Sequence, residues 1–192
     1  MFSVAATPPW SLWDGKDYKN MSDQDEAKFR MIEYHKWKFK AKIFSPLAPL
    51  TVKRTPVLMT RVEYGFLGSY NKYKKSPFET FYMGGDGMSG YSSTYATETI
   101  GLRGYENGSI AGNGGYNSYG YAYSRLSMEL RYPFLLEPSS TIYGLVFVEA
   151  GNAWRDLKDF NPFQLKRSAG VGVRIFPVSY THLRAHETLR HL

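Results

Sequence analysis

The chain has 192 residues, of which 17% are aromatic and none is cysteine, and it carries a formal net charge of +7. Its mean hydropathy of -0.41, with no apolar run near the roughly 20 residues of a spanning helix, excludes a helical membrane protein. The charge does not make a nucleic-acid binder, because four of the cations share one face of one strand and the others are interleaved with acids.

In chain order, Phe2 to Thr7 reads as the end of a strand. Residues 8–33 form a long connection, in which Ser22 to Asp25 followed by Glu26 has the pattern of a capped start to a short surface helix. His35 to Phe44 then alternates strictly, with Lys36, Lys38, Lys40 and Lys42 on one face and Trp37, Phe39, Ala41 and Ile43 on the other. Period two means a strand. With the apolar face in lipid, a one-residue slip would put four lysines into hydrocarbon, at roughly 2 to 4 kcal/mol each near the midplane.

After a short connection at 46–56, Leu58, Val62, Tyr64 and Phe66 oppose Arg61, Glu63 and Gly65. A very long Gly, Ser and Tyr-rich connection covers 70–118. Next, Ala122, Leu126, Met128 and Leu130 oppose Tyr121, Tyr123, Arg125, Glu129 and Arg131. A short link at 135–139 leads to a strand that sends Ile142, Val146, Val148 and Ala150 one way and Glu149 the other. A moderate connection at 155–165 precedes Ala169, Val171, Val173 and Ile175, set against Ser168, Gly170, Gly172 and Arg174. Aromatics gather toward strand ends, at Tyr34, Trp37, Tyr64, Phe66, Tyr132, Phe134 and Trp154, where an interfacial girdle belongs.

Alternating strands joined by alternately long and short connections predict an all-β fold, a partial antiparallel transmembrane β-barrel over residues 1–177 in the cell outer membrane. Five strands and a remnant fall short of the roughly eight needed to close such a barrel, so the chain is expected to be a fragment. Its start, without a basic or apolar stretch, is expected not to be a signal peptide. Residues 178–192 lose the alternation and are expected to be a non-native tail.

The run Gly101-Leu102-Arg103-Gly104-Tyr105 places a permanent cation in the longest connection. A guanidinium with five donors in a rigid fork calls for a carboxylate. Glu129 and Glu149 both occupy the polar phase of their strands, which suggests a loop folded back inside the barrel. Other patterns carry less. Gly85 to Gly90 fits a dinucleotide-binding spacing without the strand and helix that spacing requires, and His186 to His191 misses the zinc-protease spacing by one residue. His182 and His186 are four apart but lie in the suspect tail. Asn20 and Asn107 begin glycosylation-type triplets of a kind that arises by chance. No catalytic residue, cofactor or metal site stands out, and no enzyme is expected.

The ordered set Phe81-Tyr82-Met83-Gly84-Gly85, Leu102-Arg103-Gly104-Tyr105, Phe147-Val-Glu149-Ala-Gly151 and Ser168 to Ile175 resembles the C-terminal half of the BamA family of outer-membrane protein assembly factors, most closely its Bacteroidota members. The resemblance covers residue 1 to about Phe176. It implies part of a sixteen-stranded barrel whose inward loop carries an Arg-Gly-aromatic tip. Arg103 would then pair with Glu149, helped by Glu129, with Phe147 packed nearby and Phe81 to Gly85 leading into the loop. Glu149 stands where that family usually has aspartate. The partners implied are the lipid bilayer, unfolded β-barrel client proteins and, in a full-length protein, assembly-complex lipoproteins, with no nucleic acid. The resemblance implies that the family's periplasmic domains, first strands and last two strands are expected to be missing from this stretch of chain. A two-partner secretion or autotransporter-assembly barrel shares the tip motif. A soluble β-sandwich binding carbohydrate through Tyr and Gly-rich loops is the rival from another class.

Overall fold

A computed structural model describes residues 1–22, 25–49, 51, 54–85, 98–110, 119–137 and 140–177. The expected tail at 178–192, most of the Gly85 to Gly90 run and part of the Ser22 to Asp25 run lie outside the described residues. The chain is mostly β. Strands β1 (Phe2–Ala6), β2 (His35–Pro46), β3 (Val57–Gly68), β6 (Ala122–Glu137), β7 (Ser140–Trp154) and β8 (Lys166–Pro177) form one antiparallel sheet in the order β1-β2-β3-β6-β7-β8. Strands β4 (Phe81–Met83) and β5 (Glu98–Ile100) pair in parallel inside the long connection between β3 and β6.

Period-two patterning sets the faces. β1 pairs with β2 so that Phe2 sits opposite Phe39 and Val4 opposite Trp37, gathering apolar side chains on one side of the ribbon. That side is open: Phe39, Ile43, Met128, Leu130, Val146, Val148, Val171, Val173 and Ile175 are all exposed large hydrophobics. An apolar phase this consistently uncovered does not match a sandwich, which buries such faces against a second sheet.

By its contacts the chain divides into two units. The first comprises Met1–Ala41, Arg61–Leu126 and Glu149–Ser168, and the second Lys42–Thr60, Ser127–Val148 and the chain from Ala169. The first unit holds the core, in which Phe81, Met83, Ile100, Leu102 and Ile110 from the long connection pack with Leu67, Tyr123 and Ala153 from the sheet. In the second unit, the Phe147 ring lies where a Cβ at Gly170 would stand, and Phe134 does the same at Gly144. These aromatics fill space that glycine leaves on the neighbouring strand.

Several sequence expectations change in detail. β6 and β7 run for 16 and 15 residues, so strand pairing consumes most of the connection expected at 135–139. Ala122, assigned to the apolar face, is fully buried, and Trp154 and Phe66 pack on Phe160, with ring centroids 4.7 Å and 5.1 Å apart, rather than standing free in a girdle. Near those strand ends the connections cover both faces of the sheet. The first connection carries the expected helix, α2 (Glu26–Phe29), with the Asp25 side chain accepting from the Ala27 N–H at 2.9 Å. It also carries an unexpected turn of helix, α1 (Trp10–Trp13).

Candidate functional site

The site is built on the parallel β4–β5 pair, in which Phe81, Tyr82 and Met83 stand beside Glu98, Thr99 and Ile100. The chain leaves β4 through Gly84 at φ 133° and Gly85 at φ 72°, conformations that only glycine adopts without strain. A Cβ at Gly84 would collide with the Glu106 carbonyl. The Gly84 N–H donates to Ile100 O and the Gly85 N–H to Tyr105 O, both at 2.9 Å, so the two glycines form a backrest for the segment that carries Arg103. Tyr82 covers Gly108 and donates its hydroxyl to Asn107 O at 3.3 Å.

Leu102 anchors that segment in the core and is fully buried. One residue on, the Arg103 backbone N–H donates to Glu149 Oε2 at 2.9 Å and Nη2 donates to Oε1 at 2.7 Å. Both carboxylate oxygens are thus engaged by one residue, through its main chain and its side chain. Arg125 adds a bond from Nη2 to Oε1 at 3.0 Å, and its Nη1 lies 3.6 Å from Glu63 Oε2. Glu149 is 0% exposed and Arg103 is 24% exposed. A buried carboxylate is tolerated only when paired and hydrogen-bonded, and here two guanidiniums and a peptide N–H meet that condition.

Gly104, at φ 87°, lets the chain turn past Ser168, and the Tyr105 hydroxyl donates to Arg167 O at 2.8 Å on β8. Gly151 shares the Glu149 face of β7, and any Cβ there would meet the Met83 methyl and Ser124 O. Held by two guanidiniums on Oε1 and a backbone N–H on Oε2, the Glu149 carboxylate is a fixed anchor.

A family model for the Omp85 superfamily domain matches residues 27–176. The chain belongs to the Omp85 superfamily. Omp85 proteins are outer-membrane β-barrels that assemble or transport proteins and are not enzymes. The soluble sandwich reading is thereby set aside. No curated protein and no solved structure matches the chain.

The other expected partners of the Omp85 chain lie in its second unit. Glu129, 2% exposed, accepts from Arg131 Nε at 3.0 Å and lies 3.6 Å from Arg174 Nη2. Phe147 covers Gly170 there.

Sequence reading passed over two features of the first unit. Arg125 and Glu63 extend the Arg103–Glu149 pair into an alternating chain of four charges, and the only signal for them was their place in the polar phase. The second feature is Glu98 on β5, which gathers Lys36 at 3.1 Å, Lys38 at 3.0 Å and Lys40 at 3.2 Å from β2. Burial raises the Glu98 pKa, but the hydrogen bonds and charges of these lysines outweigh it and bring the pKa down to about 2. Glu79 adds a second acid to Lys36 at 2.9 Å, from a backbone with φ 64° that side chains other than glycine rarely adopt.

Proposed function

We propose that this chain is barrel sequence of an assembly factor that folds β-barrel client proteins and inserts them into the outer membrane, and that Arg103 latches its long connection into the barrel lumen on Glu149. The observation that carries the latch is the double engagement of a fully buried Glu149 by the Arg103 main chain and side chain, at 2.9 Å and 2.7 Å. Leu102, Gly104 and Tyr105 serve the tip: one anchors it, one turns it and one ties it to β8. Phe81, Tyr82, Gly84 and Gly85 brace it from behind, and Gly151 leaves room for Met83. Glu129 and Phe147 support the lumenal wall within the second unit. The assembly role rests on the BamA-like order of these motifs within an Omp85 chain. Client barrels, assembly lipoproteins and the bilayer are the partners that role requires.

Arg103→Glu and Glu149→Arg each place like charges together, and the double variant restores opposite charges between 103 and 149 with reversed polarity, a partial rescue because Arg125 and the residue 103 N–H lose their carboxylate. In the natural host, each single variant is expected to expose the connection to external protease and to lower the amounts of folded outer-membrane proteins, with both defects reduced in the double variant. A double variant no better than either single one overturns the latch. Normal levels of other barrel proteins, alongside failure to export one dedicated substrate, would indicate the secretion branch instead.

A further inference from the structure

The first unit contains a cleft of about 1260 Å³ that the latch does not use. Its walls come from the connections β1–β2, β3–β4 and β7–β8 and from the start of β6, which share one end of an antiparallel sheet. In an outer-membrane barrel the longer connections face the exterior, so the cleft opens to the cell surface.

Six aromatic rings line it: Tyr18, Phe29, Tyr73, Phe78, Tyr119 and Tyr121. Tyr73 and Tyr119 are 39% and 40% exposed, the Lys72 ammonium lies over one face of the Tyr73 ring at 4.7 Å and leaves the other to a ligand, and Tyr119 meets Tyr121 edge to face with centroids 6.2 Å apart. Six lysines and arginines stand against four carboxylates. Lys75 and Asp156 neutralise each other at 2.8 Å, and Asp25 caps a helix. Lys19, Arg30, Lys72 and Arg155 have no carboxylate within 4.0 Å among the described residues and are exposed.

The walls are fixed from behind by a buried network. Glu33 accepts from Ser11 N at 2.8 Å and from Ser11 Oγ at 2.6 Å, Lys74 lies 4.0 Å from Glu33 and 4.6 Å from the centre of the Tyr18 ring, and Tyr18 donates to Asp14. Preorganised walls reduce the ordering cost of binding.

We propose that this cleft binds an anionic saccharide of the cell surface, a phosphorylated or carboxylated glycan of a few sugar units. Flat, partly exposed tyrosines suit the apolar faces of sugar rings, the carboxylates and phenols suit their hydroxyls, and the unpaired cations suit the phosphate or carboxylate. The volume exceeds the roughly 300 to 1,000 Å³ of ordinary small-molecule pockets, which leaves room for more than one ring. The inference rests on the outer-membrane location of Omp85 proteins and is independent of the assembly role and of the Arg103 latch.

The test is calorimetry on the full chain in detergent micelles. The probes are the deacylated, phosphorylated core oligosaccharide of a Gram-negative lipopolysaccharide, the same glycolipid intact, and a neutral dextran oligosaccharide. The deacylated glycan is expected to bind at least about tenfold more tightly than dextran, a difference of about 1.4 kcal/mol. Tyr73→Ala with Tyr119→Ala, and separately Arg30→Gln with Arg155→Gln, are each expected to weaken it about tenfold or more, and the arginine pair also to flatten the salt dependence. All four residues are exposed, and unchanged thermal unfolding of the variants verifies that they fold. Equal binding of glycan and intact glycolipid identifies a membrane-anchored source, and binding of the free glycan alone identifies a soluble one. Equal affinity for dextran, no binding of the deacylated glycan, binding of the intact glycolipid only, or unchanged affinity in both variants overturns the proposal.

Discussion

Glu149 and Glu98 are both acids shared among several cations, yet they fasten the long connection with opposite polarity. At Glu149 the acid belongs to the sheet and the connection brings the cation, Arg103. At Glu98 the connection brings the acid and strand β2 supplies Lys36, Lys38 and Lys40. A connection seated in reverse would set Arg103 near lysines and Glu98 near Glu149, so charge selects one seating in addition to holding it. The two fastenings also differ in depth. Glu149 is 0% exposed and Glu98 is 22% exposed, and solvent screening weakens the second.

The largest effect is expected from Glu149→Ala, which leaves the Arg103 guanidinium and backbone N–H facing no carboxylate and Arg125 with Glu63 alone. Breaking a buried pair from one side costs roughly 3 to 5 kcal/mol, and water reaching Arg103 reduces that figure. Urea unfolding of the full chain in micelles, read beside Glu98→Ala, should show the greater loss for Glu149→Ala. Equal losses would remove the distinction between the two fastenings.

Next comes acidity. Because the Glu98 pKa in the folded chain, about 2, lies below its ordinary value of 4.5, the ladder stabilises fully above about pH 4.5. That stabilisation is lost as pH falls from about 4.5 toward 2. Protease sensitivity of the connection should rise across this window in the parent and lose that dependence in Glu98→Gln.

A smaller difference is expected within the ladder. Lys36 is 4% exposed and Lys40 36%. Lys36→Met therefore strips a buried partner from both Glu98 and Glu79, whereas Lys40→Met should change unfolding by about 1 kcal/mol or less. Smallest is Glu79→Gly. Relief of the strained backbone, about 1 kcal/mol, opposes loss of a half-exposed ion pair of similar worth, so unfolding should barely move.

Much of the sheet was legible because a strand in an outer membrane writes its environment into alternate residues. The faultless alternation at Lys36 to Ile43 fixed both face and register, and the same phase rule placed Glu63, Arg125, Glu129 and Glu149 on one side. The rule fails where connections fold over the sheet. Ala122 and Trp154 keep their phase but lose their exposure, since burial there depends on chain distant in sequence. At the site, Arg103 was conspicuous as a lone cation among glycines. Glu98, Arg125 and Lys74 were not, because each acquires meaning only from a partner on another element. The tyrosines of the outer cleft were visible as composition alone, and only the joining of three connections makes them a wall.

The β4–β5 pair carries a consequence for the order of events during folding. Antiparallel neighbours can zip outward from a tight turn, but a parallel pair closes only after the intervening chain has looped round, and the Arg103 bonds to Glu149 span 46 residues. Closures over such distances repay their entropy late. The clasp draws on Glu63 of β3, Arg125 of β6 and Glu149 of β7, so it closes only when these three strands lie side by side, and the seated connection reports that they have found their places.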